Sequence, residues 1–306
     1  MMKKFFLILF FCTSVFTLNA QLNTTIESPK TVPSPYQTDV LKAFADSLYN
    51  DGFLSQAESE YKRLLFSIPQ TDFEDPAKME EALQNSTMQD SLLALTNIYK
   101  KQENVTGIEW LNENFYYTSN NFVKEKISFV RAEFIFKSRD SQNFSLFTTA
   151  IENDRQTFSP DFSNLVESST LILNNDIKGL RNLCSNIVLE NSDYEKLYEL
   201  SQSYKLKKAG LALFFSAVIP GSGKWYTGSF GAFLTSFVSI GSFVAGTVLT
   251  GIQTEWKSWQ PYVFGTVGAV LYIADLYGAY QSAKRYNAAL YRTLCEEAEN
   301  IYEKEY

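Results

Sequence analysis

The segment with the clearest chemical potential is Gly-Ser-Gly-Lys at 221–224, which looks like part of a phosphate-binding loop. A Walker A loop needs a glycine five residues before Gly223, and a Ser or Thr after its lysine to bind Mg²⁺. Val218 and Trp225 occupy those two positions. The segment therefore does not predict a nucleotide site, and we interpret it as a turn between apolar helices.

A second residue with chemical potential is Asp275, the only formally charged residue between Lys257 and Lys284. A carboxylate inside a membrane helix is costly, so such a residue is a candidate functional site. Three alternatives are open: an ion pair with Lys224 or Lys284, exposure at the membrane interface, or handling of ions or protons. We favour pairing or interface exposure, because Asp275 lies toward the Lys284 end of its apolar run.

The rest of the composition gives little support to an enzyme. The chain has no histidine, which excludes Ser-His-Asp triads, Cys-His pairs and His-ligated zinc. Cys184 and Cys295 are expected to be buried or partly buried thiols, and the sequence does not decide whether they form a disulfide. The net charge is −7 without a dominant basic patch, which argues against nucleic acid. We expect no catalytic, cofactor-binding or metal-ligating residue.

Both chemical candidates lie in a long apolar region. Its runs at 229–252 and 261–283 are each long enough to cross a hydrocarbon core as a helix, whereas the apolar helix at 209–219 is too short. We therefore predict a membrane module at 206–283. Between the short helix and the first long run, glycines, a proline and aromatic residues predict a turn at the membrane interface. The residues of this turn are Pro220, Gly221, Gly223, Lys224, Trp225, Tyr226 and Gly228.

This module resembles a bacterial membrane-domain family of unknown function. That family has a Pro-Gly-x-Gly-x-x-Tyr-x-Gly turn between hydrophobic helices, and the turn here reads Pro-Gly-Ser-Gly-Lys-Trp-Tyr-Thr-Gly. The resemblance covers about 206–290 and implies a signal peptide and tetratricopeptide-like repeats before the module. It implies no activity. The matching residues of the second long helix are Asp275, Ala279, Ala283, Tyr286 and Asn287.

Residues 1–20 show a Lys pair, an apolar core and a small final residue, which is the pattern of a secretory signal peptide. An uncleaved N-terminal anchor is the alternative. Residues 21–35 are polar and contain prolines, which is typical of a flexible linker. A signal peptide and an uncleaved anchor both predict that the domain after residue 35 lies outside the cytoplasm.

Residues 36–205 repeat the helical hydrophobic period, which predicts an all-α domain of four or five helix pairs. Ala57, Tyr61 and Pro69 have tetratricopeptide-like spacing: the alanine permits close approach, the tyrosine fills the groove and the proline ends the helix. A non-repeat helical bundle is the alternative. The last predicted helix, at 192–208, ends in lysines suited to a membrane boundary.

Two features of the module leave alternatives open. Small residues recur every fourth position in both runs, which permits close packing within the hairpin or homodimerisation. Two crossings would return the C-terminal helix, predicted at 284–306, to the side of the helical domain. Three crossings would place its basic residues in the cytoplasm, which the positive-inside tendency slightly favours. The small residues are Ser242, Gly246 and Thr250, then Ala274, Gly278 and Ser282.

These features together predict an all-α, non-enzymatic scaffold in a bacterial inner membrane, because outer-membrane spans are barrels. Its periplasmic helical domain would bind a protein or peptide partner, and its module would contact membrane lipid. The alternative is an accessory component of membrane transport, or of protein or lipid insertion, that acts through the module. In that case Asp275 and the turn would matter directly.

Overall fold

The computed structural model describes residues 37–66, 86–189 and 191–305, and these form thirteen α-helices without a strand. The predicted all-α class is confirmed for these residues. The predicted signal peptide, the linker and Pro69 lie outside the described residues. The helices are α1 (Thr38–Asn50), α2 (Leu54–Leu65), α3 (Ser86–Lys101), α4 (Val105–Phe115), α5 (Asn121–Lys137), α6 (Ser141–Ala150), α7 (Pro160–Leu173), α8 (Ile177–Ile187), α9 (Glu195–Ser203), α10 (Ala209–Val218), α11 (Ser222–Tyr226), α12 (Phe230–Gln253) and α13 (Gln260–Glu305).

The chain divides into two compact units, of which the first contains α1, α2, α3 and residues 113–123. α1 packs against α2 through a tight turn, where Gly52 has a φ of +83° that favours glycine. Ala57 and Tyr61 are buried in this pair, and the Tyr61 hydroxyl donates a hydrogen bond to Asp46 at 2.6 Å. The pair therefore forms where the sequence places it, while the tetratricopeptide-like arrangement stays a prediction.

The second unit contains residues 105–112 and everything described from residue 124 onward. Its helical domain is built from α5–α9, and local capping explains where these helices begin. The Asp140 carboxylate accepts the backbone N–H groups of the first turn of α6, and Asp176 does the same for α8. Pro160 occupies the first turn of α7 after the capping Ser159, as its fixed φ favours.

α13 is one uninterrupted helix of 46 residues, or about 69 Å at 1.5 Å per residue. The sequence indicates two elements here, a span at 261–283 and a tail at 284–306. The structure joins them because no proline or glycine follows Gly278, and the junction is rich in good helix formers.

The last turns of α13 form part of the core of the helical domain. The ring of Tyr302 packs against Phe129 and Phe136, with centroids 5.4 and 5.8 Å apart. Its hydroxyl lies 3.0 Å from Ser169 Oγ. α13 therefore covers the face that α5 and α7 present to it. The residues of α13 buried in these turns are Leu294, Cys295, Glu297, Ala298, Ile301 and Tyr302.

Polar contacts surround this apolar core. Arg139 pairs with Glu299 at 2.5 Å and Lys304 with Asp193 at 2.6 Å. Lys196 also pairs with Glu297. The predicted helix at 192–208 ends at Ser203, because the segment after it runs extended to meet the side chain of Asn287 on α13.

α12 and α13 pack together as a hairpin, and both are long and apolar enough to cross a membrane. Only 6% and 17% of their most apolar 18-residue windows are buried, whereas a core helix of a soluble protein is mostly buried. Gly246 faces the ring of Phe264, so the small residue at this position serves packing within the hairpin. Homodimerisation through the small-residue positions stays a prediction.

Candidate functional site

The predicted turn and the predicted acid come together on one face of α13. α10 runs antiparallel to α13, the chain reverses at Pro220, and α11 leads back toward the level at which α10 began. Four hydrogen-bonded residue pairs define this path along α13, and their α13 members span 15 residues, or about 22 Å. These pairs are Lys207 with Asn287, Thr227 with Ser282, Gly221 with Asp275 and Ala217 with Tyr272.

The glycines of the turn are required by its geometry. Gly221 has a φ of +83°, and an added Cβ there would lie 2.8 Å from the carbonyl oxygen of Phe233. An added Cβ at Gly223 would overlap the carbonyl group of Ala212 on α10. Its N–H donates a hydrogen bond to Ser216 Oγ at 3.1 Å. The turn can therefore close against α10, α12 and α13 only with glycine at both positions.

Asp275 is buried and binds the turn through both carboxylate oxygens. Oδ2 accepts the backbone N–H of Gly221 at 2.6 Å, and Oδ1 lies 2.7 Å from Lys224 Nζ. Of the partners that the sequence left open, Lys224 is therefore the one found. Lys284 instead lies over the ring of Tyr280, 4.6 Å from its centroid.

The lysine of this pair is held from two further sides. Lys224 Nζ donates a hydrogen bond to Ser236 Oγ on α12 at 2.6 Å. Its aliphatic stem runs against Gly278, where an added Cβ would lie 3.2 Å from Cε. Charge neutralisation, a backbone donor and a hydroxyl together offset the cost of burying two ions. The arrangement fixes the turn to α12 and α13 and is neutral as a unit.

The other residues of the predicted turn border this pair. Trp225 is 58% exposed and stacks on Phe233 with ring centroids 5.4 Å apart. The Tyr226 hydroxyl accepts the backbone N–H of Lys208 at 3.3 Å. Gly228 has a φ of +88°, which lets the chain leave α11 and enter α12. All seven predicted turn residues thus lie in or next to one packed motif.

Sequence reasoning missed the hydroxyl groups of this site. Ser216, Ser236 and Ser282 lie far apart in the chain, and a serine in an apolar helix does not indicate its partner. The ion pair had a usable signal. Lys224 is the only charged residue in 209–254, and Asp275 is the only one in 258–283. Two opposite charges in such a region are expected to meet, because each alone is costly.

Comparisons of the chain with protein-family models, with curated proteins and with solved structures found no match. The function is therefore argued from the geometry of the chain itself.

A second candidate site is a groove of about 560 Å³ between α4, α5 and α6 in the second unit. Arg131 and Glu109 lie in its wall and form a hydrogen-bonded ion pair at 2.8 Å. Val105 and Leu146 are more than half exposed, so the groove offers apolar surface beside a paired charge. No sequence motif indicates this groove. Its apolar lining consists of Val105, Ile108, Phe134, Ile135, Leu146 and Phe147.

The two described cysteines are free and buried. Burial raises the pKa of the Cys184 thiol to about 12 and also raises the pKa of Cys295. The disulfide that the sequence left open is therefore not formed. A thiol with a raised pKa is a poor nucleophile at neutral pH, so these residues fit a role in the core.

Proposed function

We propose that the chain is a non-enzymatic, membrane-anchored scaffold that holds a helical domain beside a bilayer for a protein partner. One observation carries the proposal: α13 supplies a helix able to cross a membrane and also part of the core of the helical domain. Because one continuous helix joins the anchor to the domain, the domain would be held in place at the membrane, whereas a flexible linker would leave it free to move.

The packing of α13 also supports two crossings. Tyr302 and Glu299 contact the helical domain, so that domain and the end of α13 lie on the same side of any bilayer that the hairpin crosses. α10 has ten residues, about 15 Å, which is about half of a 30 Å hydrocarbon core. We therefore propose a re-entrant α10–α11 segment and a two-crossing hairpin. The positive-inside tendency slightly favours three crossings, but the packing of α13 leads us to propose two.

The leader-like N-terminal sequence and the helical spans support a bacterial inner membrane with the helical domain in the periplasm. With two crossings, both the helical domain and the end of α13 lie there. A single cysteine added at the exposed Leu189 tests this, because its reaction with a membrane-impermeant thiol reagent in intact cells reports the side of the helical domain. The native thiols are unsuitable for that purpose, because both are buried.

For partner binding we assign the groove between α4, α5 and α6. The face of α5 and α7 that α13 covers is not free to bind a partner. The groove combines exposed apolar side chains with the Arg131–Glu109 pair, which suits a peptide or helix with an apolar face and a polar edge.

The test uses a photoreactive phenylalanine analogue placed at Leu146 in the groove and, as the matched control, at Leu189. Both leucines are exposed, at 63% and 87%, and Leu189 lies outside the groove. In irradiated cells we expect one discrete crosslinked product at Leu146 and none at Leu189. Val105→Glu, which puts a charge at the groove rim, should abolish that product. Equal products at both positions, or no effect of Val105→Glu, would contradict the assignment.

The second candidate function is an accessory role in transport or insertion through the membrane module. The observation that favours it is the buried Lys224–Asp275 pair, about 22 Å along α13 from Gln260 and so inside a 30 Å core. Intramembrane ion pairs occur in proton and ion pathways. Both charged groups of the pair already bind each other and further polar groups, which supports a structural role for the pair over a role in transport.

Proton flux into vesicles that contain the purified protein separates the two functions. A transport module should acidify the vesicle lumen, and Asp275→Asn should stop the flux. The scaffold predicts no flux above protein-free vesicles, together with unchanged crosslinking at Leu146 in the neutral double variant Lys224→Met/Asp275→Asn.

A further inference from the structure

An apolar groove lies on the outer face of the α10–α11 segment, and it is separate from the buried ion pair. It encloses about 490 Å³. Its one small polar residue is Ser222, whose Oγ is buried and makes no hydrogen bond within the described residues. A short side chain at this position keeps the groove open. The other lining residues are Phe214, Phe215, Val218, Ile219, Trp225 and Tyr226.

Two lysines, Lys207 and Lys208, lie at one end of this groove. The backbone N–H of Lys207 donates to Asn287 Oδ1 at 2.8 Å, and its carbonyl accepts from Asn287 Nδ2 at 2.9 Å. Its ammonium lies 4.6 Å from the ring centroid of Tyr226, which lines the groove. The neighbouring Lys208 donates its N–H to the same tyrosine. The backbones of both lysines and the ammonium of Lys207 are therefore held beside the aromatic wall of the groove.

The charge around the groove has one sign. Lys205, Lys207 and Lys208 precede α10, and no acidic residue occurs between Glu199 and Glu255. The nearby Asp275 is already paired with Lys224. An anionic group at this end would therefore meet cations without a competing carboxylate. An apolar groove that ends in fixed cations is complementary to a molecule with an apolar chain and an anionic head.

We propose that this groove binds one anionic phospholipid, with an acyl chain along Phe214, Phe215 and Trp225 and the phosphate near Lys207 and Lys208. The proposal rests on the membrane anchorage proposed above, since it places the groove in the half of the bilayer nearer the helical domain. An irregular protein segment would need polar partners for its backbone at this depth, whereas an acyl chain needs none. The apolar lining, together with the lysines at its end, therefore favours an anionic lipid.

Tryptophan quenching by brominated lipids tests the proposal on the full chain. Trp110, Trp256 and Trp259 are replaced by Phe, which leaves Trp225 as the only indole. The protein is placed in vesicles of phosphatidylcholine that contain brominated phosphatidylglycerol or brominated phosphatidylcholine. Each lysine near an anionic surface contributes about 1 kcal/mol, so we expect apparent affinity about fivefold or more higher for the phosphatidylglycerol. Replacing Lys205, Lys207 and Lys208 by Gln should bring the ratio to one.

Two controls separate a built site from general attraction to the surface. A variant with Trp259 as its only indole reports the opposite end of the hairpin and should show no preference. Ser222→Leu fills the groove without changing charge and should remove the preference at Trp225. If Ser222→Leu keeps the full preference, or if both lipids quench Trp225 equally, the site is refuted and the anchor stands.

The remaining outcomes also decide between the proposals. Quenching of Trp259 but not of Trp225 by either lipid would mean that protein covers the groove, which refutes the lipid site alone. Failure of both lipids to quench either indole would refute the membrane anchorage and, with it, the lipid site.

Discussion

Removing one charge of the Lys224–Asp275 pair tests whether the pair holds the turn to α13. The Asp275 side chain is 2% exposed and that of Lys224 is 19% exposed, so neither ion is well solvated alone. Asp275→Asn keeps the size and an acceptor for the N–H of Gly221, and it leaves Lys224 with Ser236 as a hydrogen-bond acceptor. Breaking a buried pair costs about 3–5 kcal/mol, and we expect about 3 because Ser236 remains.

The full experiment is a double-mutant cycle of Lys224→Met, Asp275→Asn and the double variant, measured by equilibrium unfolding in mixed micelles. Each single variant should lose about 3 kcal/mol, because it leaves an unpaired buried ion. The double variant leaves no unpaired ion, but it loses the charged hydrogen bonds of Lys224 to Asp275 and Ser236 and should therefore also lose about 3 kcal/mol. The coupling energy is then about 3 kcal/mol, near the upper end for residues in contact. A double variant that loses the sum of the two single losses would refute the reasoning, since independent sites add.

Three further predictions concern the turn, the core thiol and the end of α13. Gly223→Ala should lose more than about 3 kcal/mol or fail to accumulate, because its Cβ overlaps a carbonyl group of α10; Gly231→Ala, which has open space, should be neutral. Cys184, with its pKa raised to about 12, should react with iodoacetamide at pH 8 about a thousandfold slower in the folded protein than in denaturant. Rates within tenfold of each other would contradict its burial. Tyr302→Phe should cost about 1 kcal/mol in thermal unfolding through the lost Ser169 contact, and Tyr302→Ala about 3–5; equal small losses would mean that α13 is not part of the core.

The helices themselves could be predicted because their signals are local. α7 begins where Ser159 and Pro160 indicate, and α1 and α2 meet at the glycine turn that follows Asp51. The short α10 and the long α12 follow from runs of apolar residues bounded by turn residues. Each of these signals lies within a few residues of the feature that it predicts, so no knowledge of distant contacts is needed.

The errors arose where distant contacts decide the local structure. The stretch after Ser203 reads as a continuing helix, but the side chain of Asn287 binds both polar backbone groups of Lys207 and holds the stretch extended. The tail of α13 reads as a separate helix with an apolar stripe, and only the packing of Tyr302 shows what that stripe covers. Neither partner can be identified from spacing alone.

The pattern of burial along α13 connects the candidate site with the helical domain. Asp275, Ala279 and Ala283 are buried against α10 and α11, and Leu294 and Ala298 are buried in the helical domain. The step of eleven residues from 283 to 294 is close to three helical turns, so both sets lie on one face of the same helix. A rotation of α13 that disturbed the ion pair would therefore also turn Leu294 and Ala298 out of the domain core. The buried pair and the core of the helical domain thus stabilise one rotational setting of α13, which is a property that the proposed membrane scaffold would require.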